Sequence, residues 1–187
     1  LKESFVWEIL QKRFPRGSIG AFMTQYYEMA FKGREEATEF EKATVELFRD
    51  VFKFKTKHVG PIGLTPDVLI ESEDMGFVGI IDNKAYSKYS ISNDHHNRMV
   101  HNYINGLGNY YKGKKNLAFF SYIAGGFGIN IDSQIKSIVD ETEICGSCIN
   151  VHNMIELVKR NEKRAYSHEN LKKIFSVNRE ILLFDLC

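Results

Sequence analysis

The sequence predicts an α/β fold, a mixed central sheet flanked by helices on both faces. Three observations carry this. Apolar runs at residues 68–70 and 78–81 are separated by an acidic stretch, 71–76, that closes on Gly76 as a tight hairpin would. Two more apolar runs, at 116–122 and 147–151, stand apart from that hairpin and from each other. Around them lie segments whose apolar residues recur at helical spacing. A hairpin combined with helix-separated strands makes a mixed sheet, and amphipathic helices must bury their apolar stripes against it.

From the N-terminus, Phe5, Trp7, Ile9 and Leu10 predict a helix that ends before Pro15, and residues 18–31 a second one stopped by Gly33. Residues 34–51 read as one long helix with Phe40, Ala43, Leu47, Phe48 and Val51 on one stripe. A first strand is expected over residues 52–56, because Lys53, Lys55 and Lys57 alternate with Phe52, Phe54 and Thr56. The hairpin strands follow. Asn93 or Asp94 is placed to cap a helix running to about Tyr111. Then come a strand at 116–122, a helix at 131–139, a last strand at 147–151 and a helix at 154–160. From Ser167 the tail reads as helix to Phe175, then as irregular chain or a short strand over 181–184.

The 187 residues can bury a full core, and no repeat, low-complexity tract or linker divides them. The whole of 1–187 therefore reads as a single domain, with 1–33 as an N-terminal helical extension. At 43% apolar and 26% charged, the composition is that of a globular protein. No apolar run is long enough to span a bilayer, and no cleavable leader is visible. Three cysteines without framework spacing point to a reducing, cytoplasmic setting.

The chemistry concentrates on the hairpin. Pro66-Asp67 opens its first strand and Asp82-Asn83-Lys84 ends its second, a P-D…D-x-K pattern. Side chains alternate along a strand, so Asp82 and Lys84 share a face while Asn83 turns away and offers only its carbonyl. An antiparallel hairpin brings Asp67 toward Asp82. Two neighbouring carboxylates repel unless a cation joins them. Two hard oxygen ligands with an ammonium alongside make a Mg²⁺ site suited to phosphodiester hydrolysis, with Mn²⁺ as a substitute.

The residues Lys57-His58-Val59-Gly60, Thr65-Pro66-Asp67 and Gly79-Ile80-Ile81-Asp82-Asn83-Lys84-Ala85-Tyr86-Ser87 resemble the cleavage domain of FokI-type (type IIS) restriction endonucleases, in the PD-(D/E)XK superfamily. The resemblance extends more weakly from Glu41 to residues 117–121 and on to 146–157. It implies a restriction-endonuclease-like fold. It also implies Asp67, Asp82 and Lys84 as catalytic residues, and cleavage of double-stranded DNA to 5′-phosphate and 3′-hydroxyl ends. A supporting acid on the preceding helix is implied too, with Glu41 and Glu46 both candidates. The family dimerises through the helix after D-x-K, where its oppositely charged interface pair falls on Arg98 and Asn102.

Net charge is only +1, weak for a protein that must hold a phosphate backbone unaided. Lys53, Lys55 and Lys57 form the preferred DNA-facing surface. With few residues ahead of the family match, the chain reads as a cleavage subunit or an excised domain. It would be recruited by a larger DNA-recognising nuclease subunit, as in a heterodimeric type IIS enzyme, or by a fused recognition domain. The alternatives are a structure-selective or repair nuclease of the same superfamily and a non-catalytic assembly subunit. Three other patterns read as structural. Cys145-Gly-Ser-Cys148 leads into a strand rather than opening a helix. His95, His96 and His101 lack ligand spacing. Gly125-Gly126-Phe127-Gly128 lacks a phosphate-loop lysine and reads as a flexible connection.

Overall fold

A computed structural model describes residues 18–60 and 63–187. The helix expected around Phe5 to Leu10 lies outside the described residues. Six strands form one sheet in chain order: β1 (Lys55–His58), β2 (Val68–Ser72), β3 (Phe77–Asn83), β4 (Asn116–Ala124), β5 (Cys145–Asn150) and β6 (Arg179–Glu180). β2 runs antiparallel to both β1 and β3, and the pairs from β3 onward are parallel, so the sheet is mixed.

Helices cover both faces. On one lie α1 (Ser18–Met29), α2 (Ala37–Glu46), α6 (Val151–Lys163) and α7 (His168–Phe175). They pack Met23, Phe40, Met154 and Phe175 against Val68, Ile81, Phe119 and Ile149. On the other lie α3 (Asn93–Asn97), α4 (Leu107–Tyr110) and α5 (Ile131–Thr142), over Leu69, Ile80, Phe120, Tyr122 and Cys148. Adjacent residues of β4 therefore serve opposite cores, which is why the strand reads as an unbroken apolar run.

Several boundaries differ from the sequence expectation, each for a local reason. The long helix tightens to a 3₁₀ turn at Gly33–Glu36 and widens to a π-turn at Leu47–Val51. Phe52 and Phe54 still bond back to Leu47 and Phe48, and Lys53 takes a left-handed φ of 64°. The strand thus begins at Lys55 rather than at residue 52. Ser92, not Asn93 or Asp94, caps α3 by accepting from the His95 amide. The chain after α3 is π-helical over Arg98–Ile104 and breaks before Leu107, so no single helix reaches Tyr111. In the tail the strand is Arg179–Glu180, and Leu183–Leu186 is a 3₁₀ turn. The Gly125–Gly128 connection is not a loose one. Its backbone is laced to residues 86–89 through Gly125 to Tyr86, Tyr89 to Gly126 and Gly128 to Tyr89.

Candidate active site

The hairpin register builds the site. Val68 faces Ile81 across β2 and β3, and one step beyond, Asp67 comes opposite Asp82. The Asn83 amide donates to Asp67 Oδ2 at 2.6 Å and closes that end of the ladder. Asp82 continues the Ile80 face, and Lys84, two residues on, returns to it with Nζ 2.6 Å from Asp82 Oδ2. The Lys84 amide donates to the Ile123 carbonyl, so β4 holds the end of β3 in place.

Asn83 points the other way, as strand alternation requires. Its Nδ2 donates to Thr44 Oγ1 on α2 at 2.7 Å, and Thr44 also meets the Tyr26 hydroxyl at 2.9 Å. A buried chain from α1 through α2 thus anchors the residue whose amide orients Asp67.

The electrostatics are unbalanced. Burial raises the pKa of Asp67 well above the carboxylate range, Asp82 and Glu41 add to it, and Lys84 and the Asn83 amide only partly oppose. For Lys84, burial alone would lower the pKa, but Asp82 and Asp67 outweigh it and hold the ammonium above its ordinary value. Asp82 is 2% exposed, and its Oδ1 is buried with no hydrogen-bond partner. A buried carboxylate oxygen without a donor is costly. A cation beside Asp82 Oδ1 and Asp67 would relieve both the orphaned oxygen and the repulsion, so the residues present fit a divalent metal. Among the described residues no group of three His, Cys, Asp or Glu side chains could hold a metal ion. A hard cation taking two carboxylates and filling its shell with other oxygens matches that limit.

The remaining sequence candidates separate in space. Glu41 reaches the site: its Oε2 accepts from His58 Nε2 at 2.7 Å, and it faces Gly60 beside Asp67. Glu46 is exposed and lines a cleft with Ile19, Phe22 and Asp50 on the α1 side. Lys53, Lys55 and Lys57 are all exposed, but only Lys55 and Lys57 lie on β1. Those two border a groove of about 470 Å³ with Tyr110, Tyr111 and Lys112. Arg98 pairs with Asp94 at 2.9 Å, one turn earlier on the helix, while Asn102 is half-buried. Cys145 and Cys148 are free thiols on β5, and burial pushes the Cys148 thiol up. His95 meets the Tyr89 hydroxyl, and His96 meets Glu141. In the sequence, His58 is hidden in a run of lysines and Thr44 in a helical stripe, so neither shows its site contact there.

A mixed sheet with this hairpin, flanked by helices on both faces, has the restriction-endonuclease-like fold of the PD-(D/E)XK type. The chain belongs to the FokI cleavage domain family, whose model matches residues 2–182. It is similar to the type II restriction enzyme StsI of Streptococcus sanguinis, 24% identical over an alignment of 152 residues that covers 74% of this chain and 24% of that protein. Its fold matches the structure of restriction endonuclease FokI with a TM-score of 0.83, at 18% identity, covering 97% of this chain and 34% of that one. The match to FokI bound to DNA has a TM-score of 0.80 at 19% identity, with the same coverage. The chain thus spans about a quarter to a third of the length of these relatives.

Proposed function

We propose that this chain is the DNA-cleaving module of a type II restriction endonuclease, hydrolysing one strand of a duplex in a Mg²⁺-dependent reaction. The observation that carries the reading is the convergence of Asp67, Asp82 and Lys84, with Asp82 Oδ1 buried and unpartnered. Asp67 and Asp82 would hold the metal, with the Asn83 carbonyl as a further ligand, and Mn²⁺ would substitute. When bound, a divalent cation supplies a water of lowered pKa and stabilises negative charge on the phosphate.

The protein's own groups have separable tasks. The Asn83 amide fixes Asp67, and the Tyr26–Thr44–Asn83 chain fixes that amide. Lys84, held protonated by its two carboxylate neighbours, is suited to neutralise the scissile phosphate or to orient the attacking water. Lys55 and Lys57 on the edge strand supply a phosphate-facing surface, and Lys112 across the groove adds to it. The products are a 5′-phosphate and a 3′-hydroxyl. One site cuts one strand, so a double-strand break needs a second nuclease, and sequence recognition comes from a partner subunit or a fused domain. The chain 1–187 acts as one domain in an intracellular setting. Among the described residues no helix is long and apolar enough to cross a membrane.

The test is nicking of supercoiled DNA, with and without a DNA-recognising partner. Cleavage should require Mg²⁺ or Mn²⁺, stop in EDTA, and fall by about three orders of magnitude or more in Asp82→Ala, Asp67→Ala and Lys84→Ala. Ca²⁺ should bind but support little turnover, because its looser shell activates water poorly. Robust cleavage in EDTA, or a wild-type rate in Asp82→Ala, would overturn the reading.

A further inference from the structure

Glu41 and Asp67 come from different elements, α2 and the chain just before β2, yet they reach the same point. A methyl placed on Gly60 would lie 3.2 Å from Glu41 Oε2 and 3.4 Å from Asp67 Oδ1. Gly60 does not have a positive φ, so its glycine is not explained by backbone conformation. A side chain there would crowd Glu41 Oε2 and touch Asp67. Glu41 would not stay there unaided. It is an acid on a helix face, only 19% exposed, beside another acid, and repulsion would swing it toward water. His58 holds it: Nε2 donates to the same Oε2 at 2.7 Å, from a ring itself only 21% exposed. The Asp67 carbonyl in turn accepts from the Val59 and Gly60 amides, so the chain carrying His58 and Gly60 is bonded to the residue it serves.

We infer that His58 is a positioning residue of the active site: it fixes the Glu41 carboxylate beside Asp67, across the gap that Gly60 leaves, and so sets the site's affinity for its divalent cation. This rests on the nuclease reading above. Glu41 need not touch the cation. A fixed carboxylate next to a ligating one deepens the local negative potential and accepts hydrogen bonds from the cation's water, the way outer residues tune a metal site. A purely structural staple between α2 and β1 would change stability and leave cation affinity alone.

The experiment is calorimetric titration of the full chain with Mn²⁺, without DNA and well below the melting temperature, alongside the Mg²⁺ dependence of nicking. His58→Ala should weaken Mn²⁺ binding roughly tenfold, the usual loss for an outer-shell partner, and raise the Mg²⁺ needed for half-maximal nicking to match. His58→Gln, which keeps a donor within reach of Glu41, should restore most of that affinity. Gly60→Ala should weaken binding without altering any charge, because the new methyl crowds Glu41 Oε2 at 3.2 Å and pushes it off its position. It also serves as the independent test if His58→Ala fails to fold. Glu46→Gln, on the same helix but away from the site, should bind Mn²⁺ as the wild type does. Wild-type affinity in His58→Ala or Gly60→Ala overturns the assignment, and so does a His58→Gln variant as impaired as His58→Ala. A wild-type chain that neither binds Mn²⁺ nor nicks DNA fails the nuclease reading itself. A wild-type chain that does both while His58→Ala matches it fails only the role given to His58.

Discussion

Asp67 and Asp82 lie opposite each other at the end of the hairpin, with the Lys84 ammonium 2.6 Å from Asp82. On the function proposed above, a bound cation would relieve the repulsion between the two carboxylates. The consequence is measurable as ligand linkage. At ten times its dissociation constant, Mn²⁺ should stabilise the wild type by about 1.4 kcal/mol, and in Asp82→Ala the thermal shift should vanish while the fold persists. A full shift in that variant would mean the cation binds elsewhere. Behind the carboxylates, Thr44 is fully buried and serves three groups at once: Tyr26, Asn83 and the Phe40 carbonyl. Thr44→Val keeps the shape and removes the oxygen, leaving two buried donors unpaired. It should cost about 1–3 kcal/mol in denaturant unfolding and weaken Mn²⁺ binding through Asn83. An unchanged midpoint would show that water replaces the hydroxyl.

Between strands, packing rather than propensity decides what is allowed. Gly79 sits in the middle of β3, where a β-carbon would lie 2.7 Å from the Phe119 ring and 3.1 Å from Ile70. Gly79→Ala should therefore destabilise by about 1–3 kcal/mol through overpacking, although alanine is no worse a strand former than glycine. Equal stability would show that Phe119 can shift. At the far edge, Arg179 on β6 grips Asp185 through two hydrogen bonds of 2.7 and 2.8 Å. The Arg179 bonds hold the Asp185 pKa below the usual carboxylate range, with the Leu182 amide assisting. A depressed folded pKa gives stability that is present above the unfolded value of about 3.9 and lost as pH falls through the folded one. Asp185→Asn should thus be less stable than the wild type by about 1–2 kcal/mol near pH 7. The gap should close on acidification below pH 4, as read by thermal unfolding across pH. A gap that persists at low pH would assign the loss to packing instead.

At the scale of the molecule, a net charge of +1 bears on how the proposed nuclease would meet DNA. The isolated chain should bind duplex DNA weakly, without sequence preference and with steep salt dependence. With a DNA-recognising nuclease partner it should contribute one of two cuts. Asp82→Ala here should then convert double-strand breakage into nicking, visible as open-circular rather than linear plasmid. Sequence-specific double-strand breaks by the purified chain alone would contradict this. The assembly surface is expected on the helical segment after D-x-K. Arg98 there is surface-paired with Asp94, an interaction worth at most about 1 kcal/mol. A failure of Arg98→Asp to assemble, with its melting temperature intact, would therefore report on the interface and not on the fold.

By itself the sequence determined the fold class, the hairpin and the meeting of Asp67, Asp82 and Lys84 at its end. Strand periodicity of two and the tight turn at Gly76 force Asp82 and Lys84 onto one face, with Asp67 opposite. These are short-range consequences of the chain, readable without neighbours. Element ends were legible only to within a few residues, because Phe52 and Phe54 are claimed by the core under α2 and pull the chain into a turn at Lys53 before β1 can start. The placing of Glu41 near Asp67 and of Glu46 away from it, the link from His58 to Glu41 and the surroundings of Gly60 come from tertiary structure alone. Each depends on how α2 lies across the end of the hairpin, a packing of residues far apart in sequence that no local pattern encodes.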